Sequence, residues 1–515
     1  MLRSSRTLPI VLTAIALCGV GLLLFHTRNG PGITGDSVSY VMGAENMIKG
    51  RGYSRTAGGG EAVPITGFPP GYSTALVLFS WISPDFFSVG RILNALLFGL
   101  NIFLSGFILW KFTRSEATAL IGSLFVLLSE DLIHAHAWVM SEGLFLTLSL
   151  LGIYSLASYF SSSQKSHLFT GSLLFSAATL TRYVGIALIC AAGLSVLIAS
   201  NKALRKRIQD LLILGVISCI PVVMWLLRNA SLEGTATNRE LGFHPPSWEL
   251  IRTFLGSVNA WVFPFRLGLP DWIRAPISVI VLVIIPLFIF YRMILRKDHP
   301  SGEGEKTGLE FLPTYLVLYI PFYSVVLIAN TTFLDAGTST AGAARYLTPI
   351  FPIVVLFVLS LSYRYIIRKA IPRSIRTTAI LLATLILGMY AGRAYQFVSN
   401  PGEMFRYTDM KRRMPHVVEA LIDLDQERIL ISNDIQLTYV LSDRPAYLFP
   451  LRFDVYRLKE REDFYEQVDI TKERLEEGAV LVMFEPLREE QENTMDLLDV
   501  VPLYSFSEAT IYVSE

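Results

Sequence analysis

Long apolar stretches alternate with short polar stretches over the first three quarters of the chain. The first of them, 8–25, is about long enough to cross a bilayer. Basic residues precede it, but no small-x-small cleavage site stands out after it, so we interpret it as an uncleaved first span rather than a signal peptide. Further spans are predicted at 90–110, 117–131, 139–160, 168–181, 184–200, 208–227, 276–291, 311–330, 346–363 and 377–392, which makes about eleven spans in all.

The apolar segment 67–84 is bounded by prolines, and whether it crosses decides the side of every later loop. If it stays outside, the predicted cytoplasmic loops carry 18 Lys and Arg in 59 residues, against 11 in 136 residues for the outer loops. Cytoplasmic loops are normally enriched in Lys and Arg. We therefore predict that 67–84 lies in the outer interface, and that the N-terminus is cytoplasmic in a bacterial inner membrane.

Charge divides the chain in two. Residues 399–515 hold 13 basic and 25 acidic residues, whereas 1–398 hold 31 and 18. This indicates a membrane domain over 1–398, with a first outer loop at 26–89, and an acidic soluble domain over 399–515. Eleven spans that start from a cytoplasmic N-terminus would place this soluble domain outside the cytoplasm. Because nucleic-acid binding needs clustered Lys and Arg, no nucleic-acid partner is expected.

The soluble tail has the pattern of a small α/β unit. Short β-type runs stand at 429–431, 446–449, 479–484 and 510–513, and helical patterns stand at 415–424, before the first run, and at 460–477, between the second and the third. No glycine-rich dinucleotide motif follows a strand, and no P-loop occurs in the chain. The three cysteines all lie in apolar runs of the membrane domain, so the tail has neither a disulfide framework nor a cysteine zinc site.

The first outer loop contains Asp36, directly before a helical stretch. One interpretation is an N-cap, in which its carboxylate accepts from free backbone N–H groups. The other is a general base at the membrane surface. The two are compatible, because a cap would also fix the carboxylate in place.

Glu142 lies about one turn inside the predicted span 139–160. Ionisable groups at membrane depth are costly and often functional, although a helix N-terminus also favours an acid. His134 and His136 stand just before it, and a divalent metal held by these three side chains is the alternative cofactor. No other cofactor is indicated.

Two arginines, Arg182 and Arg345, stand at the outer ends of predicted spans, each followed by a tyrosine. Either one alone is consistent with snorkelling towards lipid head groups. Arginine also binds phosphate through a planar, permanently charged fork. Together with Asp36 and Glu142 on the same side, the two arginines indicate an anionic head group bound near the outer leaflet.

A series of short motifs follows this order along the chain. They are Asp-x-x-x-Tyr at 36–40, Gly-x-Gly-Tyr at 50–53, Phe-Pro-Pro-Gly-Tyr at 68–72, Arg-x-x-Asn-Ala at 91–95, Ser-Glu at 141–142, Thr-Arg-Tyr at 181–183 and Ala-Arg-Tyr-x-x-Pro at 344–349. The series resembles GT-C fold glycosyltransferases, in particular the protein O-mannosyltransferase and aminoarabinose transferase-like group. The tail segment 431–450 resembles the extracytoplasmic α/β domain of the same proteins.

The resemblance implies a membrane enzyme that moves a sugar from a polyprenyl-phosphate carrier to a glycan, lipid or protein acceptor at the outer face, with inversion. Its catalytic carboxylate matches Asp36, with Glu142 as a second catalytic acid. Eukaryotic protein mannosyltransferases carry Asp-Glu at this point, whereas Ser37 follows here, which argues against protein mannosylation. The further candidate site residues are Arg182, Arg345 and Tyr346 for the donor phosphate, and Tyr40, Tyr72, His136 and Tyr183 for substrate.

Two alternatives stay open at this stage. A polytopic transporter or lipid flippase would place charged residues and broken helices deep in the spans. Pro286 and Pro321 do interrupt apolar runs, but mid-span acids are few. A glycan polymerase or ligase also uses lipid-linked sugars, and its key residues are expected in a large later loop such as 228–275.

Overall fold

The structure is a computed structural model of the 515-residue chain. The structure describes residues 7–199, 202–239, 241–265, 270–280, 284–285, 287–288, 291, 311–334, 345–363, 372–399, 407–454 and 459–515. Within these residues, seven helical segments are long and apolar enough to cross a membrane, or eight if one bent helix pair counts as a single span. The chain is therefore an integral membrane protein, as its hydropathy predicts.

Fifteen α-helices are described before residue 400. They are α1 (Thr7–His26), α2 (Gly35–Ile48), α3 (Gly71–Leu78), α4 (Phe86–Thr113), α5 (Glu116–Leu127), α6 (Glu130–Ala137), α7 (Glu142–Ser162), α8 (Lys165–Thr179), α9 (Ile186–Ala199), α10 (Leu204–Glu233), α11 (Trp248–Val262), α12 (Asp271–Val279), α13 (Phe311–Phe333), α14 (Phe351–Ser362) and α15 (Arg373–Ser399). A two-stranded hairpin, β1 (Ser54–Thr56) and β2 (Ala62–Pro64), lies between α2 and α3.

Most of the predicted spans appear as long apolar helices, and in α4 a polar side chain sets the start of the helix. Asp85 starts α4 by accepting from the backbone N–H groups of Phe87 and Ser88 at 3.0 and 3.1 Å. The helix ends at Arg114, whose positive φ of 58° breaks the helical path. The segment 67–84 contains only the eight residues of α3 and one 3-10 turn, which is too short to cross a bilayer.

The predicted span 117–131 corresponds to α5 and the start of α6, and the two helices together are long and apolar enough to form one bent span. Ser129 accepts from the N–H of Leu132 and so starts a new helix, and α5 and α6 meet at a bend of 55°. The predicted spans at 168–181 and 184–200 correspond to α8 and α9, which have 15 and 14 residues. Part of 276–291 lies outside the described residues, and the count of eleven stays a prediction.

The tail contains a five-stranded mixed sheet with the order β4-β3-β7-β9-β8, in which β3 runs parallel to β4 and β7 while β9 is antiparallel to β7 and β8. Its strands are β3 (Leu430–Ser432), β4 (Ala446–Leu448), β7 (Val480–Phe484), β8 (Val500–Ser505) and β9 (Ala509–Ser514), and a separate hairpin pairs β5 (Phe453–Asp454) with β6 (Lys459–Glu460). Its helices are α16 (Tyr407–Arg413), α17 (Pro415–Asp423), α18 (Ile435–Ser442), α19 (Phe464–Glu476) and α20 (Glu489–Met495).

The predicted α/β character of the tail is confirmed, although β8 and α18 were not predicted. The domain boundary at 399 stays a prediction, since 400–406 lie outside the described residues. Buried side chains of α2, including Val38 and Val41, share one apolar cluster with tail residues such as Leu421 and Leu437. We call the end of the helices that carries α2 and the tail the tail end, and the opposite end the far end.

Candidate active site

Two segments of chain that begin α2 and α7 lie side by side at the tail end. Gly32 accepts from the N–H of Val139 at 3.0 Å and donates to the carbonyl of Ala137 at 2.9 Å, which makes a parallel backbone bridge between Gly32 and Trp138. The Trp138 indole packs directly on Gly32, and a Cβ added to Gly32 would lie only 2.5 Å from a carbon of the Trp138 ring. Asp36 lies four residues after Gly32, and Glu142 lies four residues after Trp138.

Thr34, and not Asp36, is the N-cap of α2, so the predicted capping role of Asp36 is wrong. The Thr34 hydroxyl accepts from the N–H of Ser37, and the Ser37 hydroxyl accepts from the N–H of Thr34 at 3.1 Å, which completes a capping box. Asp36 stands in the first turn, where the helix dipole favours an acid. Its carboxylate is consequently not engaged by the cap.

Asp36, Glu142, Arg182 and Arg345, which we call the four-charge cluster, come together in the structure. Oδ2 of Asp36 lies 2.9 Å from Nη2 of Arg345, and Nε of Arg345 lies 3.2 Å from Oε1 of Glu142. Nη1 of Arg182 lies 2.8 Å from the same Glu142 oxygen. Two carboxylates and two guanidiniums are therefore joined in one chain of ion pairs, with Glu142 between the two arginines.

Exposure falls along this chain from Asp36 to Glu142. The exposed side-chain fractions are 35% for Asp36, 24% for Arg345, 12% for Arg182 and 2% for Glu142. Both arginines thus point into the protein towards Glu142, rather than outwards as snorkelling would require. Glu142 is the first residue of α7 rather than a residue one turn inside it, so the predicted depth is wrong by about one turn.

Aromatic rings and hydroxyl groups surround the four-charge cluster. The Tyr346 ring centroid lies 5.7 Å from the Arg182 guanidinium and 5.3 Å from that of Arg345, within the range of cation–π contact. The Tyr40 hydroxyl lies 3.2 Å from that of Ser141, which also accepts from Arg182 at 3.1 Å. Burial raises the pKa of the Tyr40 phenol, so it stays protonated at neutral pH.

The other three predicted substrate residues have partners in helix packing. The fully buried Tyr72 donates to the side chain of Asn94 at 3.2 Å. The ring of His136 is held between Asn101, 3.1 Å from Nε2, and the carbonyl of Leu132, 2.7 Å from Nδ1. The Tyr183 hydroxyl accepts from Trp225 at 3.1 Å. These contacts give each residue a structural role, and a substrate role stays a prediction.

The metal alternative gains no support from the described residues. Among them, no three His, Cys, Asp or Glu side chains are grouped so that they could hold an ion. Both ring nitrogens of His136 have protein partners, and the ring of His134 packs against Trp138 with centroids 5.4 Å apart. His134 and His136 thus act as packing residues next to Glu142.

Sequence reasoning did not predict three residues that shape the site. Met140 Sδ accepts from the hydroxyl of Thr34 at 3.6 Å and lies 3.9 Å from Nη1 of Arg345. The Tyr323 hydroxyl donates to the carbonyl of Tyr346 and so fixes that residue. Asn94, which belongs to the Arg-x-x-Asn-Ala motif at 91–95, donates to the carbonyls of Trp138 and Met140. The motif was a signal for Asn94, whereas Tyr323 lies in an apolar span with no local signal.

The sequence matches no known protein-family profile and no curated protein sequence. The fold, in contrast, is similar to solved structures. ArnT from Cupriavidus metallidurans bound to undecaprenyl phosphate aligns over 99% of this chain and 98% of its own, with a TM-score of 0.60 and 12% identity. Its apo form aligns over 98% and 97%, with a TM-score of 0.56 and 13% identity. At this identity the likeness shows a shared fold.

Proposed function

We propose, from the GT-C fold that the chain shares with these structures, that the protein is a membrane glycosyltransferase. It would take a sugar from a polyprenyl-phosphate carrier and place it on a hydroxyl acceptor at the extracytoplasmic face. The observation that carries this proposal is the four-charge cluster, which combines a partly exposed carboxylate with two inward-pointing arginines. The solved ArnT structure with undecaprenyl phosphate supports the choice of donor class.

Arg345 and Arg182 are suited to hold the donor phosphate. A lipid phosphate leaves with negative charge on its oxygens, and preorganised positive groups stabilise that charge in the transition state. Both guanidiniums are held by Glu142 and flank the ring of Tyr346, so their positions are set before a donor arrives. Glu142 then acts by orienting the two arginines rather than by touching the sugar.

Asp36 is suited to accept the acceptor's proton. The acceptor oxygen attacks the anomeric carbon while the bond to the phosphate oxygen breaks, the proton passes to the Asp36 carboxylate, and the lipid phosphate leaves. Such a single displacement inverts the anomeric centre. Because Arg345 bridges Asp36 and Glu142, a phosphate that binds Arg345 would compete with Asp36 for the guanidinium and release Oδ2 for the acceptor.

The experiment is turnover of purified wild type and Asp36→Asn on a panel of polyprenyl-phosphate hexoses and pentoses, followed by release of polyprenyl phosphate. Asparagine keeps the size of the side chain but does not take up a proton, so we expect turnover to fall by about 10²–10⁴-fold. Folding should be unchanged, because Thr34 provides the cap.

Asp85→Asn is the matched control, since it changes another acid of the first outer loop to asparagine. Asp85 caps α4, and asparagine caps a helix about as well as aspartate, so activity should stay at the wild-type level. Wild-type turnover by Asp36→Asn would remove Asp36 as the base. A wild-type protein that consumes no donor of the panel would refute the donor class.

A further inference from the structure

The tail packs on the chain that leads up to Asp36. Before α2, Arg412 of α16 donates to the carbonyl of Asn29 at 2.9 Å. At the start of α2, the side chain of Gln436 lies against Gly35, within 3.4 Å of where a Cβ would stand. The soluble tail therefore contacts the segment that carries the proposed base.

A hydrogen bond between Tyr439 and Glu45 joins α18 of the tail to the C-terminal part of α2. The Tyr439 hydroxyl donates to Oε1 of Glu45 at 2.6 Å, and Tyr439 is only 6% exposed. Burial, followed by the nearby Glu45 carboxylate, raises the pKa of the Tyr439 phenol, so the donor proton is retained at neutral pH. Hydrogen bonds to a charged acceptor are among the stronger ones in proteins.

Helix α18, which carries Tyr439, is held in place by other residues of the tail. Asp434 caps α18 by accepting from the N–H of Leu437 at 2.9 Å. The same carboxylate accepts from the Tyr407 hydroxyl of α16 at 3.1 Å. Helices α16 and α18 are thus linked to each other as well as to the first outer loop.

We propose that the tail domain positions Asp36 through the contact between Tyr439 and Glu45, and that these two are positioning residues for the reaction. Its catalytic consequence rests on the proposed function. Nine residues of helix, about 13 Å, separate Glu45 from Asp36, so a tilt of about 5° at one end moves the other by about 1 Å. Misplacement of a reacting group by that much can reduce a rate by up to about 10²-fold.

The first measurement is hydrogen exchange of the amides of 35–48 in the wild type, Tyr439→Phe and Glu45→Leu. Loss of the contact should speed exchange over this segment in both variants, whereas the double variant should add nothing further because both changes remove one interaction. Glu45→Gln keeps an acceptor oxygen and should resemble the wild type. Unchanged exchange in Tyr439→Phe would overturn the contact's role, whether or not activity is found.

The second measurement is kcat and the donor KM of the same variants. We expect kcat of Tyr439→Phe to fall by about tenfold with the donor KM nearly unchanged, since the arginines are not moved. Tyr447→Phe is the matched control, because its hydroxyl donates to Glu61 of the hairpin at 2.6 Å, also between tail and loop. Its kcat should equal that of the wild type.

The results separate this inference from the proposed function. A fall of kcat in Tyr439→Phe alone supports positioning. An active Tyr439→Phe enzyme with wild-type kcat overturns it and leaves the proposed function intact, as does an equal fall in Tyr447→Phe. Absence of any donor turnover in the wild type refutes the proposed function and with it the catalytic part of this inference, while hydrogen exchange still decides the contact.

Discussion

Two ion-pair clusters of described residues lie at opposite ends of the helices, and they differ in the exposure of their side chains and in the sequence separation of their members. At the far end, Asp210 accepts from both Tyr159 and Lys202, and Lys202 lies 3.0 Å from its carboxylate. Asp210 is 4% exposed and meets its positive partner only eight residues away in sequence. The far-end cluster of these three residues is thus small, neutral and largely local.

The four-charge cluster is assembled from four distant parts of the chain, and one of its carboxylates remains accessible to solvent. Asp36 keeps a third of its side chain exposed. Oε2 of Glu142 is buried without a hydrogen bond to any of the described residues. Because desolvation offsets the attraction between buried charges, such an arrangement is weak evidence for a role in stability. The far-end cluster thus links neighbouring helices, whereas the four-charge cluster is the one to which the proposed function assigns the reaction.

The largest expected effect is on accessibility, because the two clusters should face opposite sides of the membrane. In a variant without the native cysteines, Glu477→Cys of the tail should react with an impermeant thiol reagent on intact cells, and Arg205→Cys, near Lys202, should react only after permeabilisation. Both positions are exposed in the structure, so burial does not limit either reaction. Labelling of Arg205→Cys but not of Glu477→Cys on intact cells would place the four-charge cluster on the cytoplasmic side of the membrane.

A smaller but distinct effect is expected on donor affinity. Arg345→Ala removes a charge-assisted contact to phosphate, so donor binding should weaken by about 1.5–3 kcal/mol. The measurement is a binding titration with polyprenyl phosphate in detergent. Arg393→Ala serves as the control, because Arg393 also pairs with an acid, Glu130, at the tail end. Equal affinity in Arg345→Ala and the wild type would assign Arg345 a structural role.

The smallest effect on activity belongs to the far end. Tyr159→Phe removes the hydrogen bond donated to the Asp210 carboxylate and the one accepted from Lys202, which should lower the free energy of unfolding by about 1.5–3 kcal/mol without changing kcat. Thermal unfolding and turnover of one preparation test both parts. Tyr154→Phe, on the same helix and with no hydroxyl hydrogen bond to a described residue, should leave both unchanged. A loss of turnover at wild-type stability would contradict the division of roles.

Hydropathy predicted the helices well where apolar runs are bounded by charge, and poorly where a single side chain changes the path. The bend after α5 escaped prediction because the apolar run continues through Leu127 and Leu128, and only the hydroxyl of Ser129 starts the new helix. Likewise, Thr34 rather than Asp36 caps α2. A shift of two residues in a helix start is beyond what a pattern resolves.

For the site, the sequence could indicate the residue types but not their pairings. Arg182 and Arg345 were expected near Asp36 and Glu142 because all four were predicted on one side of the membrane. That Glu142 lies between both arginines depends on how α7, α8 and α14 pack, which no local pattern encodes. The contact between Tyr439 and Glu45 joins residues 394 positions apart and had no signal at all.

The backbone bridge between Gly32 and Trp138 also sets a rule for the lengths of chain that this site tolerates. Three residues separate Gly32 from Asp36, and three separate Trp138 from Glu142. The positions of both carboxylates are therefore fixed relative to the same backbone bridge. A one-residue insertion or deletion within 33–35 or 139–141 would rotate one acid by about 100° around its helix and leave the other in place. Homologous genes should therefore keep both three-residue spacers at the same length.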